Sequence, residues 1–191
     1  MAKKSLIIII FLIFLITTGS FAQDSSSSAH LKPTYFISLN IESQMSGIKD
    51  EDFISSNYSP LYNVTSGKWF NHQFAIQVGY KGLFYYTIAD DIKHYYNFLY
   101  ADAVINFNSF VHPNRESKFW NILLHAGPGF FYNHSYQKPN ICLNIGAQNS
   151  FQITNYLQIN FDVSSIIGWD IYQGNDDILP GVTFGLNYFF E

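Results

Sequence analysis

Apolar and polar side chains alternate every second residue over most of this chain, and that pattern limits its fold more than any other feature. At the C-terminus Val182, Phe184, Leu186, Tyr188 and Phe190 share one face, opposite Gly181, Thr183, Gly185, Asn187 and Phe189. Upstream, Leu157, Ile159, Phe161 and Val163 alternate with Gln158, Asn160, Asp162 and Ser164. Ile141, Leu143, Ile145 and Ala147 do the same with Cys142, Asn144, Gly146 and Gln148. Stretches around Tyr35–Glu42, Phe74–Tyr80 and Trp120–Tyr132 follow suit, with Leu123 and Phe131 as apolar exceptions on a polar face. Side chains of an extended strand point to opposite faces in turn, so this period specifies strands with one apolar and one polar face.

The pattern predicts eight strands, roughly at 34–43, 68–80, 83–89, 95–108, 118–133, 139–153, 156–168 and 179–190. Gln44–Gly67 and Trp169–Asp177 read as long connectors, Lys81-Gly82 and Thr154-Asn155 as tight turns, and Pro113-Asn114 as the centre of another turn. Strands joined in this way form an antiparallel up-and-down meander. Pro128, inside the fifth strand, lacks a ladder donor and predicts a local bulge. Residues 1–22 read as a secretory signal peptide: Lys3 and Lys4, an apolar run from Leu6 to Ile16, then the small-x-small site Ser20-Phe21-Ala22. That run, as a helix, covers only about 16 Å, too short for a bilayer. Residues 23–33 are a flexible N-terminal segment, and 34–191 form one domain.

An eight-stranded barrel can be apolar inside or outside, and the polar faces decide which. They carry Asn, Gln, Ser, Thr and Gly, while charges collect in connectors such as Lys49–Asp52, Asp90-Asp91 and Asp176-Asp177. Charged residues make up only 13% of the chain, against about 25% in soluble domains. A neutral polar face turned inward and an apolar face turned outward define a transmembrane β-barrel. The mean hydropathy of +0.02 follows, because half of each strand faces the interior.

Aromatic placement agrees. Trp120 and Tyr132 share one face of one strand and, for a strand tilted by about 40°, lie roughly 30 Å apart along the membrane normal, the spacing of two aromatic girdles. Tyr80, Phe107, Trp120, Phe151 and Tyr188 are expected at the girdle near the short turns, and Trp69, Tyr95, Tyr132 and Trp169 at the outer one.

The signal peptide, the eight strands and the aromatic final strand Gly181–Phe190 resemble the small outer-membrane β-barrel family of the OmpA/OmpX type. The Phe21-Ala22-Gln23 junction, His125–Phe130 and Thr154–Asn160 are similar to members from Bacteroidota. The resemblance implies an integral outer-membrane location with outer-membrane lipid as a partner. It also implies recognition of the last strand, through Phe190, by the barrel-assembly machinery; here Glu191 follows that aromatic, a departure from the family pattern.

Residues that carry chemistry are few. Glu42, Asp102, His125 and Asp162 are the ionisable groups expected in the lumen. A turn centred on Pro113-Asn114 sets Asp102 directly opposite His125, which predicts a buried structural hydrogen bond. No catalytic residue, metal site or cofactor is assigned: the six histidines lack close ligand spacing, and adjacent His134-Ser135 point to opposite faces. Ten basic against fourteen acidic residues offer no footprint for nucleic acid. The expectation is a non-enzymatic barrel closed to bulk solutes, with an envelope-structural or surface-interaction role through its long connectors. The alternatives are an outer-leaflet lipid-modifying enzyme, a narrow small-solute channel, or a soluble lipocalin-like carrier.

Overall fold

Alternation becomes a closed wall in the computed structural model, which describes residues 34–45, 58–82, 86–89, 92–111, 119–134, 136–169 and 176–190. The expected leader at 1–22, the segment 23–33 and the turn at Pro113-Asn114 lie outside the described residues. The strands are β1 (Thr34–Met45), β2 (Tyr58–Trp69), β3 (Phe74–Lys81), β4 (Tyr86–Ala89), β5 (Ile92–Asn106), β6 (Trp120–Asn133), β7 (Lys138–Gln152), β8 (Leu157–Trp169) and β9 (Asp176–Phe190). A single helical turn, α1 (Phe107–Val111), follows β5. All pairings are antiparallel, in the order β3-β2-β1-β9-β8-β7-β6-β5-β4, and a β3–β5 pairing closes the ring. The wall therefore has eight strands, with the four residues of β4 extending β3 alongside β5. Closure joins each of the eight wall strands to a neighbour on both sides, the arrangement a sheet needs in lipid.

Burial alternates as the sequence pattern requires. Leu39 is 65% exposed, Ile41 61% and Ile141 74%, while the intervening Ser38, Asn40 and Cys142 are buried. One end of the barrel carries the turns at 70–73 and 153–156, the β5–β6 connection that opens with α1, and both terminal strand ends; the other carries the connections at 46–57, 90–91, 134–137 and 170–175. We call these the turn end and the loop end.

The strand count agrees with the sequence reading, but its partition does not. Tyr58–Trp69, expected to lie mostly in a long connector, is β2, paired with β1 from Thr34↔Trp69 to Met45↔Tyr58. The expected single strand 68–80 is broken by a turn in which Asn71 Oδ1 accepts from the backbone N–H groups of Gln73 and Phe74, both at 2.8 Å. Lys81-Gly82 is no tight turn. It marks an irregularity within one wall strand, where the pairing to β5 shifts by two residues between Lys81↔Phe98 and Tyr86↔Tyr95.

Pro128 does not insert a residue either. The β5–β6 register is the same at Tyr100↔Gly129 and Ala103↔Ala126; only the pairings between them are missing. On the other side, Pro128↔Leu143 continues the β6–β7 ladder.

Two apolar clusters occupy the interior. Leu61, Tyr96, Phe98, Tyr100, Phe131, Cys142, Ile166 and Leu179 fill the loop-end half. Phe36, Ala75, Val104 and Leu123, with Trp69 and Phe189 packed on them, fill the turn end. Leu123 and Phe131, the exceptions in the alternation of β6, each belong to one of these plugs.

Candidate functional site

Between the plugs lies a polar waist to which every wall strand contributes. Its strongest contact joins Lys81 of β3 to Glu42 of β1, Nζ to Oε1 at 2.8 Å, with both side chains almost fully buried. The Lys81 ammonium also lies 5.7 Å from the ring centroid of Tyr100. The Tyr100 hydroxyl donates to Asn63 Oδ1 at 3.0 Å and lies 3.2 Å from Thr65 Oγ1. Burial of an unpaired ion is costly, so each charge here sits on an opposite charge or a fixed dipole.

The second group centres on His125 of β6. Its Nδ1 is 2.8 Å from Asp102 Oδ2 and its Nε2 is 3.1 Å from Asp162 Oδ1. Each ring nitrogen thus faces a carboxylate oxygen, so the imidazole is held from both sides. Asp102 Oδ2 also accepts from Asn144 Nδ2 at 2.7 Å and from Gln77 Nε2 at 3.3 Å. Nearby, Asn160 Nδ2 donates to Asn187 Oδ1 at 2.5 Å and to Asn40 Oδ1 at 3.2 Å, and Asn40 Nδ2 donates to the Asn63 carbonyl at 3.2 Å. Glycines on facing strands make room for these groups. A Cβ at Gly146 would lie 2.3 Å from His125 Nε2, and one at Gly181 would lie 2.6 Å from Glu42 Oε1.

All four ionisable residues expected in the lumen lie there. Asp102 and His125 meet, but not as direct cross-strand partners: His125 opposes Val104, two residues from the expected register. The contact is diagonal, within reach of long side chains on one face. The Asp162 contact and Lys81 escaped the sequence reading. Lys81 falls in an expected turn, yet its place two residues beyond Gly79 puts it on the inward face of β3.

The aromatic residues divide less cleanly between the two ends. Tyr188, exposed and stacked on Phe190 at 6.5 Å between centroids, lies at the turn end with Phe107, Trp120 and Phe151. Tyr95 and Tyr132 lie at the loop end, Tyr132 edge-on to His134 at 4.8 Å. Trp69 is a correction. With β2 ending there, it sits at the turn end and packs against the interior plug, not at the outer rim. Tyr80 is another: it pairs with Val64 and Leu99 at mid-wall and donates to Asn97 Oδ1 at 3.0 Å. The side chain of Trp169 lies outside the described residues.

The waist can hold charge and fix strand positions. A partly open cavity of about 30 Å³ runs between the waist and the turn-end cluster, bordered by Asn63, His125 and Asn160 on one side and Phe36 and Leu123 on the other, room for roughly two water molecules. The groups bonded to Asp102 and His125 are the amides of Asn144 and Gln77 and the carboxylate of Asp162.

No family model matches the sequence, and no curated protein matches it. Solved structures do. Ail, the attachment invasion locus protein of Yersinia pestis, matches over 84% of this chain and 100% of its own, at 13% identity and a TM-score of 0.54. Neisserial surface protein A matches over 81% and 96%, at 8% identity and a TM-score of 0.56. The outer membrane protein OprG of Pseudomonas aeruginosa matches over 85% and 97%, at 8% identity and a TM-score of 0.52. The fold is that of a small eight-stranded transmembrane β-barrel. At these identities the likeness is one of fold alone.

Proposed function

We propose that this protein is a non-enzymatic integral outer-membrane barrel, closed to bulk solutes, with an envelope-structural or surface-interaction role at its loop end. The observation that carries the reading is the filled lumen: an apolar plug at each end and a hydrogen-bonded waist between them. Outside, a continuous apolar wall that includes Ile37, Leu39, Val64, Leu143, Phe184 and Leu186 matches the hydrocarbon band of a bilayer. The loop-end connectors at 46–57 and 170–175 would meet the exterior; they lie outside the described residues. Two proteins of like fold are an attachment invasion locus protein and a surface protein, which supports a surface role. In this reading residues 1–22 direct export, outer-membrane lipid surrounds the wall, and the strand ending at Phe190 is what the barrel-assembly machinery reads.

Planar-bilayer recording tests the closed lumen. The purified protein is expected to give no stable conductance steps, and large, stable steps would replace this reading with a channel. Extraction tests location: a membrane barrel requires detergent and migrates differently on an unboiled gel, whereas a soluble carrier does neither.

A further inference from the structure

On the lipid-facing wall, Lys68 is the one formally charged residue among the strand side chains described there. The registers Lys68↔Ile76, Tyr35↔Lys68 and Tyr35↔Phe190 set Ile76, Lys68, Tyr35 and Phe190 in one row across β3, β2, β1 and β9. The row lies at the turn end, where the apolar wall gives way to aromatic side chains. The Lys68 ammonium donates to the Tyr35 hydroxyl at 3.0 Å. It lies 4.7 Å from the Tyr35 ring centroid and 5.9 Å from that of Phe70. Tyr35 in turn stacks on Phe190, 6.0 Å between centroids, so the wall fixes the position of the charge.

Among the described residues no carboxylate pairs with Lys68. An ammonium has three donors, and Tyr35 takes one. A cation on a lipid-facing wall is costly at mid-bilayer and is tolerated where it reaches the interface. At that depth the phosphates of lipid headgroups come within reach of the remaining donors. Ring faces beside the ammonium stabilise its charge without neutralising it, which leaves it able to bind an anion.

We propose that Lys68, positioned by Tyr35 and Phe70, binds the headgroup phosphate of a phospholipid in the leaflet at the turn end. This rests on the membrane-embedded reading above and goes beyond it by naming a site. The acyl chains would lie along the apolar wall next to Ile76.

Native mass spectrometry of the folded full chain released from detergent tests the site. The probes are phosphatidylglycerol, diacylglycerol as the same lipid without phosphate, and inorganic phosphate as the anion without chains. The wild type is expected to retain phosphatidylglycerol, Lys68→Arg to retain it too, and Lys68→Gln to retain it roughly fivefold less, the scale of one basic residue at a lipid surface. Diacylglycerol and inorganic phosphate are expected to bind weakly. Equal retention by wild type and Lys68→Gln overturns the proposal, as does equal retention of diacylglycerol. Inorganic phosphate binding as well as the lipid overturns the assignment of a lipid as its source. Each variant is first checked for the gel shift of a folded barrel. A wild type that does not fold in detergent or lipid fails the membrane reading; a folded wild type whose lipid retention ignores Lys68 fails only the site.

Discussion

Lys81 and Glu42 form an ion pair of 2.8 Å across the lumen, joining β3 to β1 past the intervening β2. The two carriers are far apart in sequence and neither side chain reaches solvent. Removing one partner leaves the other charge buried and bare. Lys81→Met is therefore expected to cost about 3–5 kcal/mol of unfolding free energy. The double variant Lys81→Met/Glu42→Leu is expected to recover most of that loss, because two apolar groups need no partner. Urea titration of the barrel folded in lipid vesicles, read by tryptophan fluorescence, measures both. Equal losses in the single and double variants would show that packing volume, not charge, holds this position.

Asp102 and Asp162 are not equivalent, although both touch His125. Asp102 Oδ2 meets His125, Asn144 and Gln77, whereas Asp162 Oδ1 meets His125. Asp102→Leu strands three donors and is expected to cost about 3–5 kcal/mol, while Asp162→Leu costs about 1–3 kcal/mol. The same urea titration ranks them. An equal or inverted order would mean that Asp162 carries contacts beyond its bond to His125.

Much of this was legible in the sequence, for a definite reason. Inward or outward orientation depends only on whether a residue is odd or even along its strand, so Glu42, Asp102, His125 and Asp162 could be placed in the lumen without knowing the register. The Asp102–His125 contact tolerates a register error of two for the same reason: a shift of two keeps both residues on one face. What parity cannot supply is where one strand stops. In β2 the outward residues include Pro60, Ser66 and Lys68 beside Tyr62 and Val64, so its apolar face is too thin to stand out. The turn at 70–73 is flanked by Trp69, Phe70 and Phe74, which read as strand; its signal was Asn71, whose side chain closes it. That one boundary decides the end at which Trp69 lies, the depth of Tyr80 and whether Lys81 belongs to a strand or a turn.

Glycines in the waist are space rather than flexibility. A Cβ added at Gly146 would come within 2.3 Å of His125 Nε2 and 2.7 Å of Ser164 Cβ. Gly146→Val is expected to displace the imidazole from Asp162 and to cost about 1–3 kcal/mol, the usual range for overpacking a filled interior. The adjacent residue, Ala147, belongs to the outward set, so Ala147→Val is expected to change stability by less than about 0.5 kcal/mol. The contrast between neighbours one position apart is read from the two unfolding curves. If both variants behave alike, the assigned inward and outward faces of β7 are wrong.

The lipid-facing wall makes a prediction that depends on depth. Leu39 is 65% exposed and sits at mid-wall, between Val64 and Leu186. Tyr35 lies at the turn end of the same strand and the same face. An arginine at the bilayer midplane costs about 2–4 kcal/mol and falls to about 0–1 kcal/mol near the interfaces. Leu39→Arg is therefore expected to lower the free energy of folding into vesicles by about 2–4 kcal/mol. Ile37→Arg, one step closer to the turn end, should cost less, and Tyr35→Arg least once the loss of its stacking on Phe190 is allowed for. In a soluble barrel the outer face meets water at every depth, so three arginines on it would show no such gradient. A flat profile would therefore remove the wall from the membrane, whatever the shape of the fold.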